Sequence, residues 1–238
     1  MRIPHRVTRA VVVLAILPAA IGASRHAARP VRDSYRPVID PAQFQAVIDN
    51  LYFPLAPGTT YKLEEKSRRG TNEEEVAVTR ETRVIRGVTC VVVHDRLTHG
   101  GTLVEDTFDW YAQDRLGNVW YFGEDSKEWG SGGSVSTAGS WEAGVGGAQP
   151  GIVMRARPVL GASYRQEYYP GEAEDMGRDI SVHETARVPY GHFTGCLRVK
   201  EWSRLEPGTA SKWYARGVGL VREVSGDEVT SLISMTRQ

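Results

Sequence analysis

Five of the eight acidic residues between positions 105 and 142 are candidates for acid–base chemistry. They lie within or beside the stretch DWYAQDRLGNVWYFGED at residues 109–125, and they are Glu105, Asp109, Glu124, Asp125 and Glu142. Hydrolysis of a glycosidic bond requires one carboxylic acid and a second carboxylate at a fixed separation across that bond. Nothing in the spacing selects one pair. The acids therefore predict a hydrolase only as an alternative function.

Other reactive side chains do not form a recognisable motif. Asp114 and Asn118 supply half of a calcium loop, and both are also ordinary turn residues. His94 and His99 lack the His-x-x-x-His spacing of a zinc site, and no Gly-x-Ser-x-Gly elbow occurs. The sequence thus predicts no metal, no cofactor and no catalytic residue, and it favours a non-enzymatic function while leaving an enzyme open.

The same stretch is rich in aromatic side chains. Trp110, Ala112 and the preceding Phe108 fall on one face of a strand, and Asp109 and Tyr111 fall on the other. Turn residues follow, and a second aromatic strand begins at Val119. This pattern predicts an antiparallel hairpin with aromatic cross-strand pairs.

Aromatic residues on both faces of the hairpin leave two interpretations open, a packed core or a face that meets a ligand. We predict that the ligand-binding residues are Trp110, Trp120, Phe122 and Trp141, with Tyr111 and Tyr121 as the alternatives on the opposite face. Trp141 lies in the glycine-rich segment 130–154. A long loop with a tryptophan inside a compact domain is usually packed or functional.

Strands must position these side chains. From Thr60 onward the chain alternates apolar and polar residues, interrupted by Gly, Asn, Asp and Pro, and this predicts roughly ten strands. Asp40 as a cap and Pro41 at the first helical position predict one short N-terminal helix. The predicted fold is mainly β, a single antiparallel curved sheet that forms a half-open barrel or a sandwich.

The first residues have the composition of an export signal. Three arginines precede the uncharged apolar run at 10–23, which is shorter than the ~20 residues of a membrane-spanning helix. We expect a signal peptide at 1–23, a mobile segment at 24–39 and a single β domain at 40–238. The expected location is secreted, periplasmic or otherwise extracytoplasmic, in a bacterium and without a stable membrane span. A formal net charge of +0 gives no indication of nucleic-acid binding.

The chain has two cysteines, Cys90 and Cys196. In an oxidising compartment an even number permits one disulfide bond. The alternative is two separate thiols buried within strands.

Several longer strings carry a resemblance to known proteins. YFPLAPGTTY at 52–61, GSWEAGVGGAQPGI at 139–152 and YARGVGLVREV at 214–224, together with the 109–125 stretch, resemble a family of uncharacterised bacterial secreted proteins and lipoproteins. ARVPYGHFTGCLRVKEW and KWYARGVGLVREV are similar to the closing strands of periplasmic lipoprotein-carrier-like folds. That similarity implies a half-open barrel with an apolar cavity. No lipid-acceptor cysteine lies near residue 24, which departs from exported lipoproteins.

Three functions follow as hypotheses. The first is a secreted, non-enzymatic protein that binds a lipid, another apolar or amphipathic ligand, or an envelope component in a curved β-sheet. The second is a hydrolase that uses carboxylates near residues 109–142. The third is a structural or interaction module in which every aromatic residue belongs to the core.

Overall fold

A computed structural model describes residues 35–45, 47–130 and 133–238. The predicted signal peptide at 1–23 and most of the predicted mobile segment at 24–39 lie outside the described residues. The described chain is mainly β, and its only helix is one short 3-10 turn. In chain order they are β1 (Phe44–Gln45), β2 (Thr59–Ser67), β3 (Gly70–Ile85), β4 (Val88–His99), β5 (Thr102–Asp114), β6 (Val119–Trp129), β7 (Val135–Ser136), β8 (Trp141–Glu142), β9 (Gln149–Met154), β10 (Ser163–Arg165), β11 (Glu167–Tyr168), β12 (Asp175–Val188), β13 (Gly191–Ser203), β14 (Ala210–Ala215), β15 (Gly219–Ser225) and β16 (Glu228–Arg237).

The strands form one antiparallel sheet that is nearly closed into a barrel. Its order is β10-β12-β13-β14-β15-β16-β2-β3-β4-β5-β6-β9-β11, with β1 paired to β5 and with β7 and β8 paired to β6. The two ends of this order, β10 and β11, are separated along the chain only by Gln166. The Gln166 amide donates to the Asp175 carbonyl at 2.9 Å. One short stretch of chain therefore pairs with β12 on one side and with β9 on the other, which confirms the predicted mainly-β, single-sheet fold.

The N-terminal helix is smaller than the sequence suggests. It is a single 3-10 turn at Pro41–Gln43, and Asp40 caps it by accepting a hydrogen bond from the Ala42 amide. The apolar residues that follow do not extend it into an α-helix. Phe44 instead pairs with Asp114 of β5, because its ring packs edge-on against Trp120 and Phe122.

The predicted hairpin is confirmed as β5 and β6. Asp114 organises its turn by accepting hydrogen bonds from the amides of Leu116 and Asn118 and from the Trp120 indole. Tyr111 pairs with Tyr121 across the two strands, and their rings stack at 5.0 Å.

Both cysteines are buried free thiols, Cys90 in β4 and Cys196 in β13. The two cysteines are therefore not joined by the disulfide bond that their even number permits. The structure agrees with the alternative of two buried thiols. Burial raises the pKa of Cys90 to about 12, so this thiol is held in its unreactive form.

No helix within the described ranges 35–45, 47–130 and 133–238 is long and apolar enough to span a membrane.

Candidate functional site

The barrel contains a partly open cavity of about 60 Å³ beside the inner face of the hairpin. Strands β2 to β5 supply one wall, and the start of β15 with the loop before β2 supplies the other. The lining residues are Phe53, Pro54, Leu55, Tyr61, Leu63, Val76, Val93, Asp95, Asp109, Tyr111, Val218, Gly219 and Leu220. Apolar groups from distant parts of the chain thus surround two carboxyl groups.

The lining residues of the cavity differ in their exposure to solvent. The half-buried lining residues mark the parts of the wall that approach solvent, and they are Phe53, Pro54, Val76, Val218 and Leu220. Asp95 and Asp109 are 7% and 2% exposed and mark the inner side. A molecule with an apolar body and one polar end fits this polarity.

The alternation of the strands explains why the acids meet here. In β4 and β5, Val93 pairs with Asp109 and Val91 pairs with Tyr111, so these side chains share the inner face. Tyr121, on β6, donates a hydrogen bond to Asp109 at 2.7 Å. That bond orients the Asp109 carboxyl at the cavity wall.

Burial controls the protonation of both cavity acids. It raises the pKa of Asp95 well above its ordinary value, and the negative charges of Glu74 and Glu105 raise it further. Burial also raises the pKa of Asp109, although the hydrogen bond from Tyr121 opposes that shift. Each carboxyl therefore holds its proton at a higher pH than an exposed aspartic acid does.

Behind the cavity the acidic interior continues to Glu124 and Glu167. Burial raises the pKa of Glu124, and the charges of Asp109 and Glu167 add to the effect. The carboxyl oxygens of Glu124 form no hydrogen bond of good geometry with a described residue, although the Tyr121 hydroxyl is near enough to oppose the shift. Glu167 accepts a hydrogen bond from the Trp141 indole at 3.1 Å.

Three of the four predicted ligand-binding residues lie on the outer face of the hairpin. Trp120 and Phe122 pack under Phe44, and the Arg83 guanidinium lies 4.2 Å from the centre of the Trp110 ring. Trp141 lies on the inner side instead, edge-on to Tyr121 at 5.3 Å. None of these four residues lines the cavity, whereas Tyr111, an alternative from the opposite face, does. Ligand contact by the four residues remains a prediction that this cavity does not support.

Of the acids predicted from the sequence, some lie inside the barrel and others lie at its surface. Asp109 and Glu124 converge inside the barrel, and Glu105 is near enough to raise the pKa of both. Asp125 is exposed, and Glu142 forms an ion pair with Arg83. Asp95, inside β4, is a cavity residue that is not among the acids predicted from the sequence. The alternation of β4 carries the signal, since Val91, Val93 and Asp95 occupy one face.

The described part of the chain contains no group of three or more His, Cys, Asp or Glu side chains arranged to hold a metal ion.

Comparison with known proteins gives structural similarities only. No protein-family model matches the chain, and no curated protein matches it. A predicted exported protein of Bacteroides fragilis with a YmcC-like fold is 15% identical, with a TM-score of 0.47 over 79% of this chain and 100% of that one. A predicted lipoprotein of Parabacteroides distasonis is 14% identical, with a TM-score of 0.44 over 79% of this chain and 99% of that one. Neither similarity identifies a function.

Proposed function

We propose that this protein is exported from a bacterial cell and binds a small amphipathic molecule in the barrel cavity. The observation that carries the proposal is the cavity itself, whose walls are apolar except for two buried carboxyl groups on its inner side. The charged and then apolar start of the chain supports export. The apolar walls favour the hydrocarbon part of a ligand at about 25 cal/mol per Å² buried.

The size of the cavity limits what it can enclose. A volume of about 60 Å³ accommodates a few carbon atoms, and the half-buried Val218 and Leu220 let a longer chain continue toward solvent. Affinity should therefore rise with the first few methylenes of a ligand and then level off. Each fully buried methylene is expected to strengthen binding about fourfold.

A titration with 1-alkanols from propanol to hexanol tests the proposal. Methyl NMR signals of Leu63, Val76 and Leu220 should shift, and affinity should follow chain length. Leu220→Phe fills the cavity and should abolish binding, whereas Leu116→Phe, on an exposed turn, should not. Shifts at surface methyls only, or equal binding by the two variants, would count against a cavity site.

A hydrolase is the second candidate, because two carboxyls with raised pKa values face one cavity. A carboxyl that keeps its proton near neutral pH is suited to act as a general acid. Chromogenic glycosides and esters test this function. Turnover that is lost in both Asp95→Asn and Asp109→Asn would support it, and no turnover would exclude the substrates tested.

A further inference from the structure

The acids at the cavity have no basic partner. Asp95 and Asp109 form no ion pair with any described residue, and neither does Glu124 behind them. The only buried basic residues in the described part of the chain are Arg165 and Lys212. Arg165 lies 3.7 Å from Glu174, so it is engaged elsewhere.

The same barrel shows how a second group of buried acids is neutralised. Lys212 of β14 places its ammonium 2.6 Å from Glu201 and 3.9 Å from Glu223. This side chain has no exposed surface, so its charge is balanced entirely within the protein. One side of the interior thus carries its own ammonium group, and the side with the cavity does not.

Asp95 itself points to a missing positive group, since it is 7% exposed, lines the cavity and has only another acid, Glu74, as a side-chain hydrogen-bond partner among the described residues. Behind Asp95, Glu124 is 1% exposed and its oxygens form no hydrogen bond of good geometry, although the Tyr121 hydroxyl is near enough to lower its pKa. One oxygen of Glu74 is also unpartnered. Buried polar atoms are nearly always satisfied, and an unpaired buried carboxylate is costly. The open space in this region is the cavity, and it reaches Asp95 and Asp109 but not a basic side chain.

We propose that the ligand of this cavity carries a positively charged nitrogen, which binds between Asp95 and Asp109 while its apolar part lies along Leu63, Val76 and Leu220. The ligand class is an alkylammonium or a related organic monocation. This inference rests on the proposed function and adds the charge of the ligand to it. The ammonium would occupy the electrostatic role on this side of the barrel that Lys212 has on the other.

Three probes of equal chain length test the inference, namely hexylammonium, 1-hexanol and hexanoate. Binding is measured at neutral pH by calorimetry, with the methyl shifts of Leu63 and Leu220 as the report on location. Hexylammonium should bind at least about tenfold more tightly than 1-hexanol, because hydrogen bonds to a charged group are the stronger ones. Hexanoate should bind more weakly than both, since its carboxylate would lose its hydration at a cavity that offers no basic side chain.

Variants separate charge from shape. Asp109→Asn keeps the hydrogen-bond acceptor for Tyr121 and should reduce the affinity for hexylammonium to the level of 1-hexanol, with the alcohol unaffected. Asp95→Asn is a second test at the same wall. Asp125→Asn, an exposed acid on β6, is the matched control and should change neither affinity.

Each outcome decides a different claim. If 1-hexanol binds in the cavity as tightly as hexylammonium, the cation inference is wrong and the proposed function stands. Hexylammonium binding that survives both Asn substitutions also overturns the inference. If no probe shifts the cavity methyls, both the inference and the proposed function fail.

Discussion

At the scale of single residues, the interior of this barrel is unusual for its buried charges. Lys212 is fully buried between two glutamates, whereas Lys62 forms an exposed pair with Glu75 at 3.6 Å. Removing one member of a buried pair leaves an uncompensated charge, but removing one member of an exposed pair has little effect. The two lysines therefore provide a matched comparison.

We expect Lys212→Met to lower the free energy of unfolding by about 3–5 kcal/mol, because Glu201 and Glu223 lose their buried cation. Lys62→Met should change it by less than about 1 kcal/mol. Urea denaturation of both variants measures the difference. Equal losses of unfolding free energy in the two variants would mean that the pairing of Lys212 with Glu201 and Glu223 does not stabilise the protein.

The cavity acids predict a pH dependence of stability. The charged and titratable groups that influence Asp109 or are influenced by it lie on five strands, and they are Glu74, Asp95, Glu105, Tyr111, Tyr121, Glu124 and Glu167. Because burial raises the pKa of Asp109, the folded protein keeps a proton that the unfolded chain loses above pH ~4. This contribution to stability is full below that pH and is lost as pH rises through the folded-state value.

Asp109→Asn has no such proton to lose. Between pH 5 and pH 8 its free energy of unfolding should therefore decline less than that of the unaltered protein, by up to about 1.4 kcal/mol per pH unit while Asp109 titrates. Asp125→Asn should retain the full decline, since Asp125 is exposed. A steeper decline in Asp109→Asn than in the unaltered protein would contradict the assignment.

At the scale of elements, a single glycine allows β8 to lie against the hairpin. Gly123 has φ +127°, and a Cβ atom there would lie 2.1 Å from the carbonyl oxygen of Trp141. Gly123 pairs with Glu142, and this pairing holds Trp141 against Tyr121. The part of the glycine-rich segment around Trp141 is therefore packed, which is one of the two outcomes that the tryptophan predicts.

Gly123→Ala should displace β8 and expose the Trp141 indole. The expected result is a red shift of tryptophan emission together with a lower unfolding midpoint in urea. Gly147→Ala is the control, because Gly147 also has a positive φ (+94°) but no atom within 4 Å of the added Cβ. If both variants behave alike, the backbone conformation and not the close contact would explain the effect.

Local pattern was sufficient for the hairpin but not for the helix. Asp114, Gly117 and Asn118 define the turn between β5 and β6 within a few residues, so sequence alone located it. The predicted helix after Asp40 does not extend past one turn, because of a contact that sequence spacing does not reveal. Phe44 packs on Trp120 and Phe122, and this distant contact makes the segment a strand.

At the scale of the whole molecule, the single antiparallel sheet could be predicted from alternation, but its closure could not. Closure depends on β10 and β11 joining opposite ends of the sheet around Gln166, and both strands are very short. The closure of the sheet also decides which face of the hairpin is internal. The sequence therefore could not show whether Trp110 or Tyr111 lines the cavity. The part of the cavity wall formed by Val218 and Leu220 comes from a distant hairpin for the same reason.

The central claim is that this barrel carries a small amphipathic molecule, and native mass spectrometry of protein purified from the secreted fraction tests it most directly. The account predicts a native mass that exceeds the denatured mass by one small molecule, and no excess for Leu220→Phe, in which the cavity is filled. Equal native and denatured masses for the unaltered protein, or the same excess in both proteins, would contradict it.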